Sequence, residues 1–167
     1  EAAGGLGKLM NWTGPTSTDG GGFQVLSLGR GYKKVIDMVG GEVEPVSKRE
    51  RRAFIDDDGV TFRSHLDGSK HRFTAELSMQ IQHALGADIM FAFDELTGLA
   101  DLYDYQVESL ARTHRWAERS LAELNNLRKQ HTNRPYQALF GVIQGAQHED
   151  LRRQAGRFMG ELPFDGF

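Results

Sequence analysis

From residue 73 onward, segments with a helical repeat of apolar residues alternate with short runs that are continuously apolar. Leu77, Ile81 and Leu85 are spaced four residues apart, which predicts the apolar face of one helix. Thr74 can cap this helix, and Gly86 can end it. The runs 89–93 and 138–143 have the composition of strands that are buried on both faces. Further helical repeats follow each run, so the order predicts parallel strands joined by crossover helices.

Two α/β architectures satisfy this alternation, a doubly wound sheet and a β/α barrel. A barrel usually needs about 250 residues, whereas this chain has 167. On the barrel interpretation the chain therefore holds part of the domain, and we expect an internal fragment. Its last residues, 161–167, have the pattern of a beginning strand rather than of a tail.

The segment 29–58 is an excursion rich in glycine and charged residues. At its end, two short β-favouring runs, 53–55 and 60–62, flank the sequence Asp56-Asp57-Asp58-Gly59. Such a pair around Asp-Gly predicts a β-hairpin. The three aspartates also suggest a calcium loop, but the glycine and glutamate spacing of an EF-hand is missing, which favours the turn.

Composition excludes several classes of protein. The chain has no cysteine, so these residues hold no disulfide scaffold, thiolate metal site or cysteine nucleophile. Its net charge of −3 excludes a wholly basic nucleic-acid binder, although not a local basic patch. No apolar run approaches the ~18 residues of a membrane span, and no signal segment opens the chain, so we expect a cytoplasmic protein without membrane contact. The six histidines lack ligand spacing, and we assign no metal.

Polar side chains stand where the predicted strands end. Asp94 follows the first apolar run, Gln144 follows the second, and Asp19 precedes three glycines. Taken singly, such residues are more often turn formers or helix caps. In parallel α/β folds, however, ligands bind at the carboxyl ends of the strands. A carboxylate that accepts two donors, beside an amide that both donates and accepts, suits the edge of a purine-like base.

The three glycines, Gly20, Gly21 and Gly22, let backbone N–H groups approach a ligand without interference from Cβ atoms. Phe23 follows them, and an aromatic ring near a glycine-lined floor allows a flat base to stack. A phosphate cradle is disfavoured because no Lys-Ser or Lys-Thr follows and no GxGxxG is present. A plain structural turn is the remaining alternative.

Four motifs in this order resemble those of the tRNA-guanine transglycosylases, also called queuine tRNA-ribosyltransferases. They are TDGGGFQV at 18–25, GVTFRSHLDGS at 59–69, FAFDE at 91–95 and LFGVIQG at 139–145. The resemblance covers nearly the whole chain. It implies a β/α barrel, so we expect residues 1–167 to form an incomplete barrel domain. It also implies a structural zinc site in the full-length protein, with ligands outside this chain.

The resemblance implies a base exchange in tRNA that belongs to queuosine biosynthesis. The family removes guanine from the wobble position of the anticodon and installs a 7-deazaguanine. One aspartate attacks the ribose and forms a covalent RNA–enzyme intermediate, and a second carboxylate handles the proton of the incoming base. The nucleotide must also be turned out of its stack. Family members tend to form homodimers.

Residue by residue, Asp19 matches the family's general acid/base aspartate, and Phe23 matches the aromatic that stacks on the base. Asp94 matches the aspartate that reads the amino and ring N–H edge. Gln144, with Gly145 beside it, matches the glutamine that bonds the carbonyl edge. The attacking aspartate matches no residue here, so we expect the isolated chain to be inactive and to carry base recognition only.

Two positions depart from the family pattern: Gly20 stands where serine is usual, and Leu96 where bacterial relatives often have cysteine. Two other functions stay open on the sequence. One is a non-catalytic tRNA-binding relative of the family. The other is a glycoside-processing barrel that uses Asp19 and Asp94 as paired carboxylates.

Overall fold

The computed structural model describes residues 4–22, 53–64 and 66–167. These residues form a mixed α/β fold with one parallel and one antiparallel sheet. Its strands are β1 (Ser17–Thr18), β2 (Ala53–Asp56), β3 (Gly59–Arg63), β4 (Lys70–Phe73), β5 (Ile89–Phe91) and β6 (Ala138–Phe140). Its helices are α1 (Leu6–Met10), α2 (Ala75–Leu85), α3 (Tyr103–Gln130) and α4 (Glu149–Gly160).

The parallel sheet has the order β1-β5-β6. Ser17 pairs with Ile89, and Ile89 pairs with Ala138, so the three strands end at a common edge. The prediction of parallel strands with crossover helices is therefore confirmed for this part of the chain. The two predicted strands are shorter than their apolar runs, and the expected last strand is represented by a single parallel bridge from Phe140 to Gly166.

The antiparallel sheet has the order β2-β3-β4. The hairpin predicted around Asp56–Gly59 is confirmed, because the side chain of Asp56 accepts hydrogen bonds from the backbone N–H groups of Asp58 and Gly59 at 3.0 and 3.1 Å. The third strand, β4, was not predicted. Of the excursion 29–58, residues 29–52 lie outside the described residues, and the remainder forms β2 and the turn.

The helix α2 begins where the sequence predicts, since the Thr74 side chain accepts a hydrogen bond from the Leu77 N–H at 3.3 Å. The predicted apolar face is wrong, because Ile81 and Leu85 are 38% and 37% exposed. The buried face instead carries Ala75, Ser78, Met79, Gln82 and His83. Polar groups on that face bind the parallel sheet. The Gln82 side chain accepts a hydrogen bond from the Phe91 N–H and donates one to the Phe91 carbonyl oxygen.

The core joins both sheets to the long helix α3. The ring of Phe93 stacks on that of Trp116, with centroids 4.8 Å apart, beneath the antiparallel sheet. A second cluster surrounds Met90 and Leu139 of the parallel sheet. None of the helices in the described ranges combines the length and the apolar character that a membrane span requires.

Candidate functional site

The central feature of the site is a direct contact between Asp94 and Gln144. Each residue follows its strand by a few positions, and β5 and β6 are neighbours in the parallel sheet. The Nε2 of Gln144 donates a hydrogen bond to Oδ2 of Asp94 at 2.6 Å. The structure therefore brings together two of the three polar residues that the sequence placed at the carboxyl edge.

The carboxylate of Asp94 lies in a buried environment, with 7% of the residue exposed. Burial raises the pKa of Asp94 to about 6, and the hydrogen bond from Gln144 opposes that shift. The negative charges of Asp19 and Glu95 raise the pKa further. The group is thus an ionisable acceptor whose charge depends on pH close to neutrality.

Asp19 lies immediately after β1, at the same edge of the sheet. It is exposed, whereas Asp94 is buried. Both carboxylates follow neighbouring parallel strands, and the negative charge of Asp19 raises the pKa of Asp94. Two carboxylates in such different environments can divide their tasks, one exchanging a proton with solvent or substrate and the other recognising a ligand.

The three glycines lie against the ends of the neighbouring strands. A Cβ atom on Gly20 would fall 2.6 Å from the carbonyl oxygen of Ala92, so this backbone crosses directly over the segment after β5. The Gly20 carbonyl accepts a hydrogen bond from Ser78 Oγ at 3.1 Å, which fixes the loop to α2. Gly21 has a φ of +103°, a conformation that L side chains rarely adopt.

Gly145 has a packing requirement of its own. Its φ is +118°, and a Cβ atom there would fall 2.8 Å from the backbone nitrogen of Arg152 in α4. The glycine therefore lets the loop after Gln144 pass close to that helix. Its contact with a base stays a prediction. Phe23, the predicted stacking aromatic, lies outside the described residues.

The backbone on the amino side of Asp94 is anchored to the sheet and to α3. The N–H of Ala92 donates to the carbonyl of Phe140 at 2.9 Å, and the N–H of Phe93 donates to Ser120 Oγ at 3.3 Å. With the ring of Phe93 stacked on Trp116, this residue has little freedom to move. Asp94 is consequently held in place by its neighbour as well as by Gln144.

Glu95, on the other side of Asp94, is a residue that sequence reasoning missed. It is 1% exposed, and its carboxylate forms an ion pair with Arg112 and accepts a hydrogen bond from Tyr105 Oη at 2.5 Å. Its N–H donates to Thr113 Oγ1 at 3.1 Å. The sequence does contain an indication of this buried segment, because α3 carries a series of polar residues at helical spacing. They are Gln106, Ser109, Thr113 and Ser120.

The described residues contain no group of three or more histidine, cysteine, aspartate or glutamate side chains that could hold a metal ion. The zinc site therefore stays a prediction for the complete protein, drawn from the resemblance. What the observed arrangement offers is hydrogen-bond recognition and proton exchange.

Comparison with known proteins identifies the family to which this chain is similar. The family described as "Queuine tRNA-ribosyltransferase" matches residues 1–167. A queuine tRNA-ribosyltransferase of Roseiflexus sp. (strain RS-1) is 44% identical over 168 residues, which cover 98% of this chain and 41% of that protein. That of Ruminiclostridium cellulolyticum is 44% identical over 99% of this chain and 37% of its own length. That of Staphylococcus aureus (strain bovine RF122 / ET3-1) is 45% identical over 99% and 36%. The chain thus spans about two fifths of the length of these relatives.

Proposed function

We propose, since this chain belongs to the queuine tRNA-ribosyltransferase family, that it carries the base-recognition half of a tRNA base exchange. In this exchange a 7-deazaguanine replaces guanine at the wobble position of the anticodon, as a step of queuosine biosynthesis. The whole reaction is assigned to the complete protein, because the attacking carboxylate of the family matches no residue here.

The observation that carries the proposal is the hydrogen-bonded pair of Asp94 and Gln144 at the carboxyl edge of the sheet. A guanine-like base presents an amino group and a ring N–H beside a carbonyl oxygen. An ionised Asp94 accepts the two N–H groups. Gln144 Nε2 has two hydrogens, so one remains for the carbonyl while the other is donated to Asp94. The pair is therefore complementary to one edge of the base.

Asp19 supplies the proton chemistry in this proposal. The departing guanine leaves with the electrons of the glycosidic bond and takes a proton from Asp19. The incoming 7-deazaguanine then gives a ring proton back to Asp19, so the carboxyl group is regenerated after each exchange. The exposure of Asp19 supports this role, because a solvent-accessible carboxyl can meet both bases in turn.

The remaining parts of the proposal concern the complete protein. We infer that residues 1–167 form one incomplete β/α barrel domain, which the parallel order β1-β5-β6 supports. We infer a cytoplasmic location, because the proposed substrate is a tRNA, and we propose a homodimer as the assembly. We propose that Gly20, Gly21 and Gly22 form a floor beneath the base, and their close approach to the segment after β5 supports this role.

The test combines guanine binding with radiolabelled guanine exchange into tRNA, using the complete protein that contains this chain. Asp94→Ala is expected to abolish base binding, whereas Asp19→Asn is expected to abolish exchange and to retain binding. Asp104→Asn, an exposed acid at the start of α3, is the matched control and is expected to retain both. Normal exchange by Asp19→Asn contradicts the acid/base assignment.

Two further readouts separate the other functions. A non-catalytic relative binds tRNA but yields no covalent protein–RNA adduct under denaturing conditions. A glycoside-processing barrel is stabilised thermally by sugars rather than by 7-deazaguanine. Either result would replace the proposed function.

A further inference from the structure

The ion pair between Glu95 and Arg112 is buried next to the candidate site. Glu95 is 1% exposed and Arg112 is 5% exposed. Such a pair gains little net stability over apolar residues of similar volume, because both charges lose their hydration. Its location therefore requires an explanation other than stability, and the adjacent residue in the chain is Asp94.

Among the described residues, Arg112 is the cation that contacts the Glu95 carboxylate, and Tyr105 Oη supplies a neutral donor. On its other side, Arg112 donates to Glu108 at 2.5 Å and to Asp57 in the hairpin turn at 3.4 Å. Both of these carboxylates are largely exposed, so solvent weakens their effect on the site.

The charges that face Asp94 come from Glu95 beside it and from Asp19 across the edge of the sheet, with the neutral amide of Gln144 as hydrogen-bond donor. Both carboxylates raise the pKa of Asp94. An ionised Glu95 without a counter-ion would disfavour ionisation of Asp94 still more, because the two groups belong to consecutive residues.

We propose that Arg112 is a positioning residue for base recognition, which fixes the backbone carrying Asp94 and compensates the negative charge of Glu95 next to it. This inference rests on the proposed function, because a base with two N–H donors binds best to an ionised Asp94. Arg112 touches neither the base nor the reacting atoms and acts through Glu95.

The variants separate an effect of charge beside Asp94 from an effect of altered structure, because each predicts a different pH dependence of guanine binding. Guanine binding weakens at acid pH as Asp94 takes up a proton, and the midpoint is the pH at which half of this loss has occurred. Glu95→Gln leaves the charge of Arg112 uncompensated, so the midpoint moves to lower pH by about 0.5 to 1 unit. The introduced amide can still accept hydrogen bonds from Arg112 and Tyr105, which favours folding. The double variant Glu95→Gln/Arg112→Gln restores a neutral pair and returns the midpoint to that of the wild type. Arg112→Lys keeps the charge and therefore keeps the midpoint.

Guanine affinity is measured between about pH 5 and pH 8 by equilibrium dialysis with radiolabelled guanine, using the complete protein. The matched control is Glu76→Gln, which breaks another ion pair of α3, made by Arg119 at 2.7 Å. Its midpoint is expected to equal that of the wild type.

A wild-type midpoint for Glu95→Gln overturns the inference, and so does a double variant that moves as far as the single one. An Arg112→Lys protein that folds and has a shifted midpoint overturns it as well. These results leave the proposed function standing. If the wild-type protein binds no guanine at any of these pH values, the proposed function fails first, and the inference with it.

Discussion

Gly22 lies so close to the carboxylate of Asp94 that a Cβ atom on residue 22 would fall 2.6 Å from Oδ1 and 3.0 Å from Cγ. The contact joins the glycine loop after β1 to the residue that follows β5. Space rather than backbone conformation favours glycine at this position, since the φ of Gly22 does not lie in the left-handed region. The glycine loop therefore presents bare backbone to the Asp94 carboxylate.

The first prediction follows from this contact. Gly22→Ala is expected to push the Asp94 side chain away from Gln144 and to weaken guanine binding by about tenfold, which corresponds to ~1.4 kcal/mol. Isothermal titration of the complete protein with guanine measures the change. Unchanged affinity would show that Asp94 can move without loss of recognition.

The control for this substitution is Gly156→Ala in α4, where a Cβ atom meets nothing within 4 Å. It is expected to leave guanine affinity unchanged. Because alanine has the higher helix propensity, the free energy of unfolding should rise by about 0.5–1 kcal/mol.

The second prediction concerns stability. The pKa of Asp94 is about 6 in the folded chain, against 3.8 for an unperturbed aspartate, so the folded state binds the proton more tightly. Ionisation of this buried group therefore lowers the free energy of unfolding as pH rises from about 4 to about 6. The total decrease is about 2–3 kcal/mol. Asp94→Asn removes the cost and is expected to raise the free energy of unfolding at neutral pH, while guanine binding is lost.

Chemical denaturation of the complete protein at about pH 7.5 and about pH 4 checks this expectation. The stabilising effect of Asp94→Asn should be present at the higher pH and absent at the lower one. A variant that is less stable than the wild type at the higher pH would contradict the burial argument.

The sequence predicted the parts of this fold in which local pattern and burial agree. The Thr74 cap, the Gly86 helix end and the Asp56–Gly59 hairpin are each specified by a few adjacent residues, and all three are observed. The meeting of Asp94 and Gln144 was predictable for a similar reason: both follow continuous apolar runs, and parallel neighbours share their carboxyl edge.

The misses have a common physical cause. Helical spacing identified apolar faces, but α2 uses polar residues to bind β5 and the loop after β1. The helix α3 uses them to bind the irregular segment after β5. Val107, an apolar residue of α3, is 42% exposed, whereas Ser109 is 1% exposed and donates to the Glu95 carbonyl at 3.3 Å. A loop that is buried must find its hydrogen-bond partners on the helix covering it, and hydrophobicity alone does not reveal those partners.

The third prediction tests this polar face of α3. Ser120→Ala removes the acceptor of the Phe93 N–H, which is buried, and is expected to lower the free energy of unfolding by about 1–3 kcal/mol. Because Phe93 immediately precedes Asp94, guanine affinity should fall as well. Denaturation curves and binding measurements on the complete protein give both values.

Asn125→Ala is the control for Ser120→Ala, since residue 125 is exposed on the same helix. Because alanine has the higher helix propensity, the free energy of unfolding should rise by about 0.5 kcal/mol at most. A Ser120→Ala protein as stable as this control would mean that the Phe93 N–H finds another partner.

The fourth prediction separates the two carboxylates of the site. The negative charge of Asp19 raises the pKa of Asp94, so Asp19→Asn lowers that pKa. Asp94 then remains ionised to lower pH, and guanine binding should persist further into the acid range than in the wild type. The same variant should lose guanine exchange into tRNA, because no carboxyl group is left to give the proton to the departing guanine and recover one from the incoming base. Binding measured against pH, together with exchange at about pH 7.5, tests both halves. An unchanged binding midpoint would mean that Asp19 does not act on Asp94, whereas retained exchange would remove Asp19 from the proton chemistry.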